Sequence, residues 1–156
     1  MINFIYINLN INKLENFMTT LEKISKELPD FSGSNWLIRI PLVIVFLQQG
    51  LSKLPIDQAS AEMYNLSLTL WFLVAWGEIL SGFGLFLGGV LSTSRYLSWI
   101  GDLVTRCSGL TIVAIMIGVI STTKPDSLID IILYDQFHSM LFLGGLFFFL
   151  RGNRVK

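Results

Sequence analysis

Glu78 is the side chain in this sequence most able to do chemistry. It lies inside LWFLVAWGEILSGFGLFLGG, a run with no other charge. An ionisable group in hydrocarbon costs several kcal/mol unless it is paired or neutralised. Its neighbours one helical turn away are Val74, Ala75, Ser81 and Gly82, mostly small residues, so the carboxyl belongs on a face that packs against other helices. There it can handle a proton or bind a ligand, or it can serve as a hydrogen-bonded carboxyl that fixes helix register. Lys53 is the first candidate for its cation and His138 the second. His138 shares a helix face with Asp135, Leu141, Phe142 and Gly145. It is either a satisfied interior group or a hydrogen-bond partner for a quinone carbonyl and a proton relay.

Depth groups these residues. At 1.5 Å rise per residue, Gln48 lies roughly 18 Å in from Trp36, Glu78 roughly 20 Å in from Leu91, and His138 roughly 18 Å in from Leu150. In a hydrocarbon core of about 30 Å these are middle positions, which predicts one polar layer shared by three helices. Gln49 precedes Lys53 by one turn and can hydrogen-bond to it. Arg39, Phe46, Gly50 and Lys53 return to one face, with Arg39 and Lys53 near opposite ends, where long cationic side chains reach for headgroups. Asp102 and Arg106 are four apart and can pair along a helix, and Arg106 is expected at the headgroup interface. The chain has one cysteine and one histidine. That leaves no internal disulfide, no thiol relay, no bis-histidine haem within one chain and no metal site to assign. Cys107 reads as packing. No redox cofactor is assignable, and any electron chemistry needs a partner or a diffusible quinone.

The elements that must hold such groups are membrane helices. Hydrophobic residues make up 53% of the chain and charged residues 14%, against about 25% charged in soluble domains, so a bilayer is the solvent that fits. Formal net charge is zero, which argues against a nucleic-acid partner. Stretches of roughly 20 apolar residues occur at about 36–54, 66–91, 103–122 and 131–150. Pro41 falls in the first turn of the first, where proline costs little. Whether 92–102 (SRYLSWIGD and its flanks) is a loop or opens the third span stays open. Gly77, Ser81, Gly84 and Gly88, with Gly144 and Gly145, mark faces for close helix packing.

Residues 1–35 form an extension. It is not a signal peptide, because it has no basic start and Asn3, Asn8, Asn10 and Asn12 interrupt its apolar residues. Leu14, Phe17, Met18, Leu21, Ile24 and Leu28 recur at helical spacing among Glu15, Glu22, Lys23 and Lys26, predicting an amphipathic helix over about 14–28 on the membrane surface, ended by Pro29. Translation starts at Met1 or at Met18. The expected class is therefore an all-α integral membrane protein, a four-transmembrane-helix bundle with an N-terminal amphipathic interfacial helix and a basic tail at 151–156. Four crossings put both ends on one side, with Lys13, Lys23, Lys26, Arg95, Arg151, Arg154 and Lys156. Lys53 and Lys124 on the other side are interspersed with Asp57, Glu62, Asp126 and Asp130. The positive-inside rule then places both termini in the cytoplasm.

IRIPLVIVFLQQGLSKL (38–54), GEILSGFGLFLGG (77–89) and TRCSGLTIVAIMIGVI (105–120) resemble the first three spans of the DoxX/DoxD-like family of small bacterial membrane proteins. Arg39, Gly50, Lys53, Glu78 and Arg106 match its pattern; His138 does not come from it. The stretch between Gly89 and Thr105 is longer than the family's loop, and the extension before Ser34 lies outside the pattern. The resemblance implies a four-helix inner-membrane protein, with relatives that include a thiosulfate:quinone oxidoreductase subunit and membrane partners of soluble oxidoreductases. Three functions compete. The chain is a membrane subunit or anchor of a quinone-linked redox complex, with a soluble oxidoreductase or another membrane subunit as partner. Otherwise it is a small dimeric proton-coupled transporter using Glu78, or a non-catalytic assembly protein. As an isolated chain it is not expected to be an enzyme.

Overall fold

The computed structural model describes residues 2–27, 33–122 and 127–154, and their regular structure is entirely helical. The expectations resting on Leu28, Pro29, Lys124, Asp126 and Lys156 fall outside the described residues, as do the side chains of Lys13 and Leu14. Two units divide the chain near residue 31. The first is a single helix, α1 (Ile2–Glu27), longer than the amphipathic pattern predicts. Its asparagine-rich start is helical despite the modest helix propensity of asparagine. An exposed Glu22–Lys26 pair at 2.7 Å supports its last turns.

The second unit holds α2 (Ser34–Ser52), α3 (Gln58–Met63), α4 (Leu68–Leu91), α5 (Ser98–Thr122), α6 (Leu128–Tyr134) and α7 (Gln136–Arg151). α4 lies between α2 and α5, and α5 lies between α4 and α7, while α2 and α7 touch over a smaller area. Leu42, Val43 and Phe46 of α2, Leu85 of α4, Ile112 and Met116 of α5, and Leu141 and Phe148 of α7 form the common core. Burial is inverted relative to a water-soluble domain. Arg39, Glu78, Ser81, Thr105 and Ser108 are buried, whereas Leu73, Leu80, Phe83, Leu103 and Leu143 are exposed.

α4 and α5, at 24 and 25 residues, are long and apolar enough to cross a membrane; each extends about 36 Å or slightly more. α2 has 19 residues and α7 has 16; among the described residues, two helices pass on length and composition where the sequence reading expected four spans. The fourth expected span, 131–150, is not one helix. Asp135 leaves the helical region at φ −124°, ψ 51° and separates α6 from α7; its short polar side chain competes with helical backbone bonding. The open question at 92–102 divides: 92–97 form turns and α5 begins at Ser98. Gly101 permits this early start. A Cβ there would lie 2.7 Å from the Gly88 carbonyl oxygen and 2.8 Å from the Ser92 nitrogen, so only glycine lets the returning chain lie directly on α4. Pro41 sits in the interior of α2, not its first turn: it lies beyond the first turn of about 3.6 residues whether the helix starts at 36 or, as observed, at Ser34. Its exposed position confines the loss to one backbone hydrogen bond.

Candidate functional site

The polar side chains inside the second unit collect in two places. The first is built where α2 meets α4. A Cβ on Gly50 would lie 2.6 Å from Ile79 Cγ1 and 2.8 Å from the Ala75 carbonyl oxygen, so the bare glycine allows the two backbones to approach. One turn later Lys53 caps α2, and its ammonium reaches Glu78 on α4 at 2.7 Å. The two side chains are only 14% and 4% exposed, so each depends on the other for neutralisation. Lys53 Nζ also donates to the backbone carbonyl of Gln49 at 3.2 Å and lies 5.6 Å from the ring centre of Trp71, a favourable position for a cation. Trp71 in turn stacks on Tyr64, with ring centres 5.1 Å apart.

This pair lines a cavity of about 830 Å³ enclosed by α2, α3, α4, α5 and α7. Phe46, Trp71, Met116 and Leu141 contribute to its mostly apolar wall; Lys53, Glu78, Gln49 and His138 contribute polar atoms. Its size and lining are those of a small-molecule site. His138 sits in the first turn of α7 and is about a third exposed; its Nδ1 lies 2.5 Å from Asp135 Oδ1. Glu78 therefore pairs with the first candidate cation, Lys53, and the histidine has a carboxylate of its own.

Of the three residues expected in one polar layer, Glu78 and His138 line one cavity and Gln48 does not. His138 lies near the start of α7, directly after the break at Asp135, on the same helix as Leu150. Gln48 is exposed and does not line the cavity. Nine residues at about 100° each put it on the side of α2 opposite Arg39, and depth alone is blind to that angle. Gln49 is also exposed, and its contribution to Lys53 is its main-chain oxygen.

The second cluster lies at the other end, where α2 begins and α7 ends. Arg39, expected to reach headgroups, is 0% exposed. Its guanidinium donates to the Leu85 carbonyl oxygen, to Thr105 Oγ1 at 3.3 Å and to Asn153 Oδ1 at 2.5 Å, and it lies over the rings of Phe148 (4.4 Å) and Trp36 (5.4 Å). Carbonyl oxygens, an amide and two aromatic faces thus replace a carboxylate partner. Asn153 was read from the sequence only as part of a basic tail. Its Oδ1 also accepts from Thr105 (3.0 Å), its Nδ2 donates to the Gly88 carbonyl (3.0 Å), and its backbone N–H donates to Asp102 Oδ1 (2.8 Å). Gly152, at φ +61°, makes the turn that brings it there. The one local hint is an asparagine directly after a helix-ending glycine.

Asp102 also accepts from Arg106 Nε at 2.8 Å. Arg106 donates onward to the carbonyls of Phe149 (3.0 Å) and Leu150 (2.7 Å), unsatisfied groups of the α7 terminus. These carbonyls, with Asp102, position its guanidinium. The cluster ties α2, α4, α5 and the chain after α7 together and has the character of a structural lock. In the connection before α4, Asp57 caps α3. The backbone N–H and then the hydroxyl of Ser60, each at 2.8 Å, hold its carboxyl below the usual carboxylate value.

Residues 34–94, from α2 through α4, match the family model described as DoxX. Over that stretch the chain is similar to DoxX, and α4 and α5 are long and apolar enough to cross a membrane. Comparison with curated proteins and with solved structures finds no match.

Proposed function

From a DoxX-like chain with a buried ion pair on the wall of a largely apolar cavity, we propose an inner-membrane protein that binds a quinone-type ligand and serves as the membrane subunit or anchor of a redox complex. In this reading α2 and the α6–α7 pair complete four crossings. Both termini face the cytoplasm, where the exposed arginines 95, 151 and 154 gather at one end of the unit. The amphipathic α1 lies at the interface.

The observation that carries the reading is the Lys53–Glu78 pair at 2.7 Å beside a partly open cavity of roughly 830 Å³. A quinone ring needs apolar and aromatic walls with a few fixed polar contacts for its oxygens. Lys53, Trp71 and His138 provide that combination, while the two charges of the pair cancel and favour a neutral ligand. Electrons come from a soluble oxidoreductase partner, since one cysteine and one histidine supply neither a thiol pair nor a bis-histidine site.

Titration of the detergent-purified protein with decylubiquinone, followed by tryptophan quenching, tests this. Saturable binding that weakens at least tenfold in Lys53→Met and in Glu78→Gln, with helicity unchanged, supports it. Absence of saturable binding by the wild type refutes it. Loss of proton-coupled efflux in Glu78→Gln, from a protein that purifies as a dimer, would support the transporter instead. Glu78 being committed to Lys53 speaks against a freely titrating carrier carboxylate. A variant changed only in stability would support an assembly role.

A further inference from the structure

The cavity has a second polar feature that the ion pair does not explain. Asp135 stands at the break between α6 and α7 but makes no side-chain capping bond to α7. One carboxylate oxygen meets His138 Nδ1 at 2.5 Å, and the other is buried without a partner among the described residues. His138 is therefore the group this carboxylate serves. Phe137 holds the imidazole edge-on, with ring centres 5.5 Å apart, and His138 lines the cavity. An ionised carboxylate only accepts hydrogen bonds, so it fixes the hydrogen of the neutral imidazole on Nδ1. Nε2, which has no partner among the described residues, is then left with a bare lone pair.

We infer that the Asp135–His138 pair makes the cavity selective for the reduced, hydroxyl-bearing form of its ligand, a hydroquinone, whose O–H donates to His138 Nε2. The inference rests on the quinone-type reading of the cavity and adds the redox form. A quinone carbonyl is an acceptor and meets a second acceptor at Nε2. A hydroquinone hydroxyl meets its complement. Asp135 is a positioning residue, acting through the ring that it orients.

The chain's single histidine makes the test direct. At about pH 8, alkaline of the ordinary imidazole range, ¹⁵N resonances of the detergent-solubilised, histidine-labelled protein report which ring nitrogen carries the proton. Affinities for decylubiquinol and decylubiquinone are measured alongside by equilibrium binding. The expected wild type has Nδ1 protonated and Nε2 bare, binds the quinol about tenfold more tightly than the quinone, and shifts its Nε2 resonance when quinol is added. Asp135→Ala, which removes no capping bond, moves the proton to Nε2 and abolishes the preference. Equal binding of both forms, or a proton already on Nε2 in the wild type, overturns the inference and leaves the quinone-type reading intact. Failure of both forms to bind overturns the reading as well.

Discussion

Asn153→Ala removes, in one step, the amide that joins a fully buried guanidinium to the rest of the unit. Three side-chain bonds go: Oδ1 from Arg39 at 2.5 Å, Oδ1 from Thr105 at 3.0 Å, and Nδ2 to the Gly88 carbonyl at 3.0 Å. The backbone bond to Asp102 does not depend on the side chain. A hydrogen bond to a charged group contributes about 1.5–3 kcal/mol and a neutral one about 0.5–1.5 kcal/mol, which sums to about 2.5–6 kcal/mol. Side-chain bonds inside membrane proteins average nearer 0.6 kcal/mol, because the unfolded chain in the bilayer also finds partners. The expected loss is therefore about 2–4 kcal/mol. The upper part of that range is favoured because Arg39 has no exposure to water and its Nε already lacks an acceptor. Unfolding by SDS titration in mixed micelles measures it. Arg39→Met in the Asn153→Ala background should recover part of the loss, since the uncompensated cation is then gone. A single variant within about 0.5 kcal/mol of wild type, the size of an ordinary surface change, would refute the assignment of Asn153 as the partner of Arg39.

Breaking the ion pair from either side should be costly and removing both charges cheap. Lys53→Met or Glu78→Leu alone should lose about 3–5 kcal/mol, and the double variant should lie within about 1–2 kcal/mol of wild type; additive losses in a double-mutant cycle would exclude the pairing. Gly101→Leu should push α5 off α4, because even a Cβ falls 2.7 Å from the Gly88 carbonyl oxygen; poor recovery of folded protein by size-exclusion chromatography is the readout, and normal recovery would contradict the close approach. The folded carboxyl of Asp57 titrates below its ordinary value because Ser60 donates to it. Its contribution to α3 is thus fully present above the ordinary carboxylate range and disappears as pH falls through the lower folded value. Hydrogen exchange of α3 amides should show that acid-dependent loss in wild type and a flat profile in Asp57→Ala.

Apolar content and helical period alone were enough to place α4 and α5 within a few residues of their ends. They also pointed to Glu78, whose charge has no local partner on its own helix, and to the local Asp102–Arg106 spacing. These features depend on residues near one another in sequence. The partner of Glu78, the burial of Arg39 and the reach of Asn153 across 114 positions to Arg39 depend on which helix faces come together and how closely. That is set by contacts such as Gly50 on Ala75 and Gly88 on Gly101. Depth along a helix can be counted from a sequence, but the direction in which a side chain points within the packed unit cannot. Gln48, counted to mid-depth, faces outward for that reason, and His138, counted as central, lies at a helix start because Asp135 breaks the helix before it.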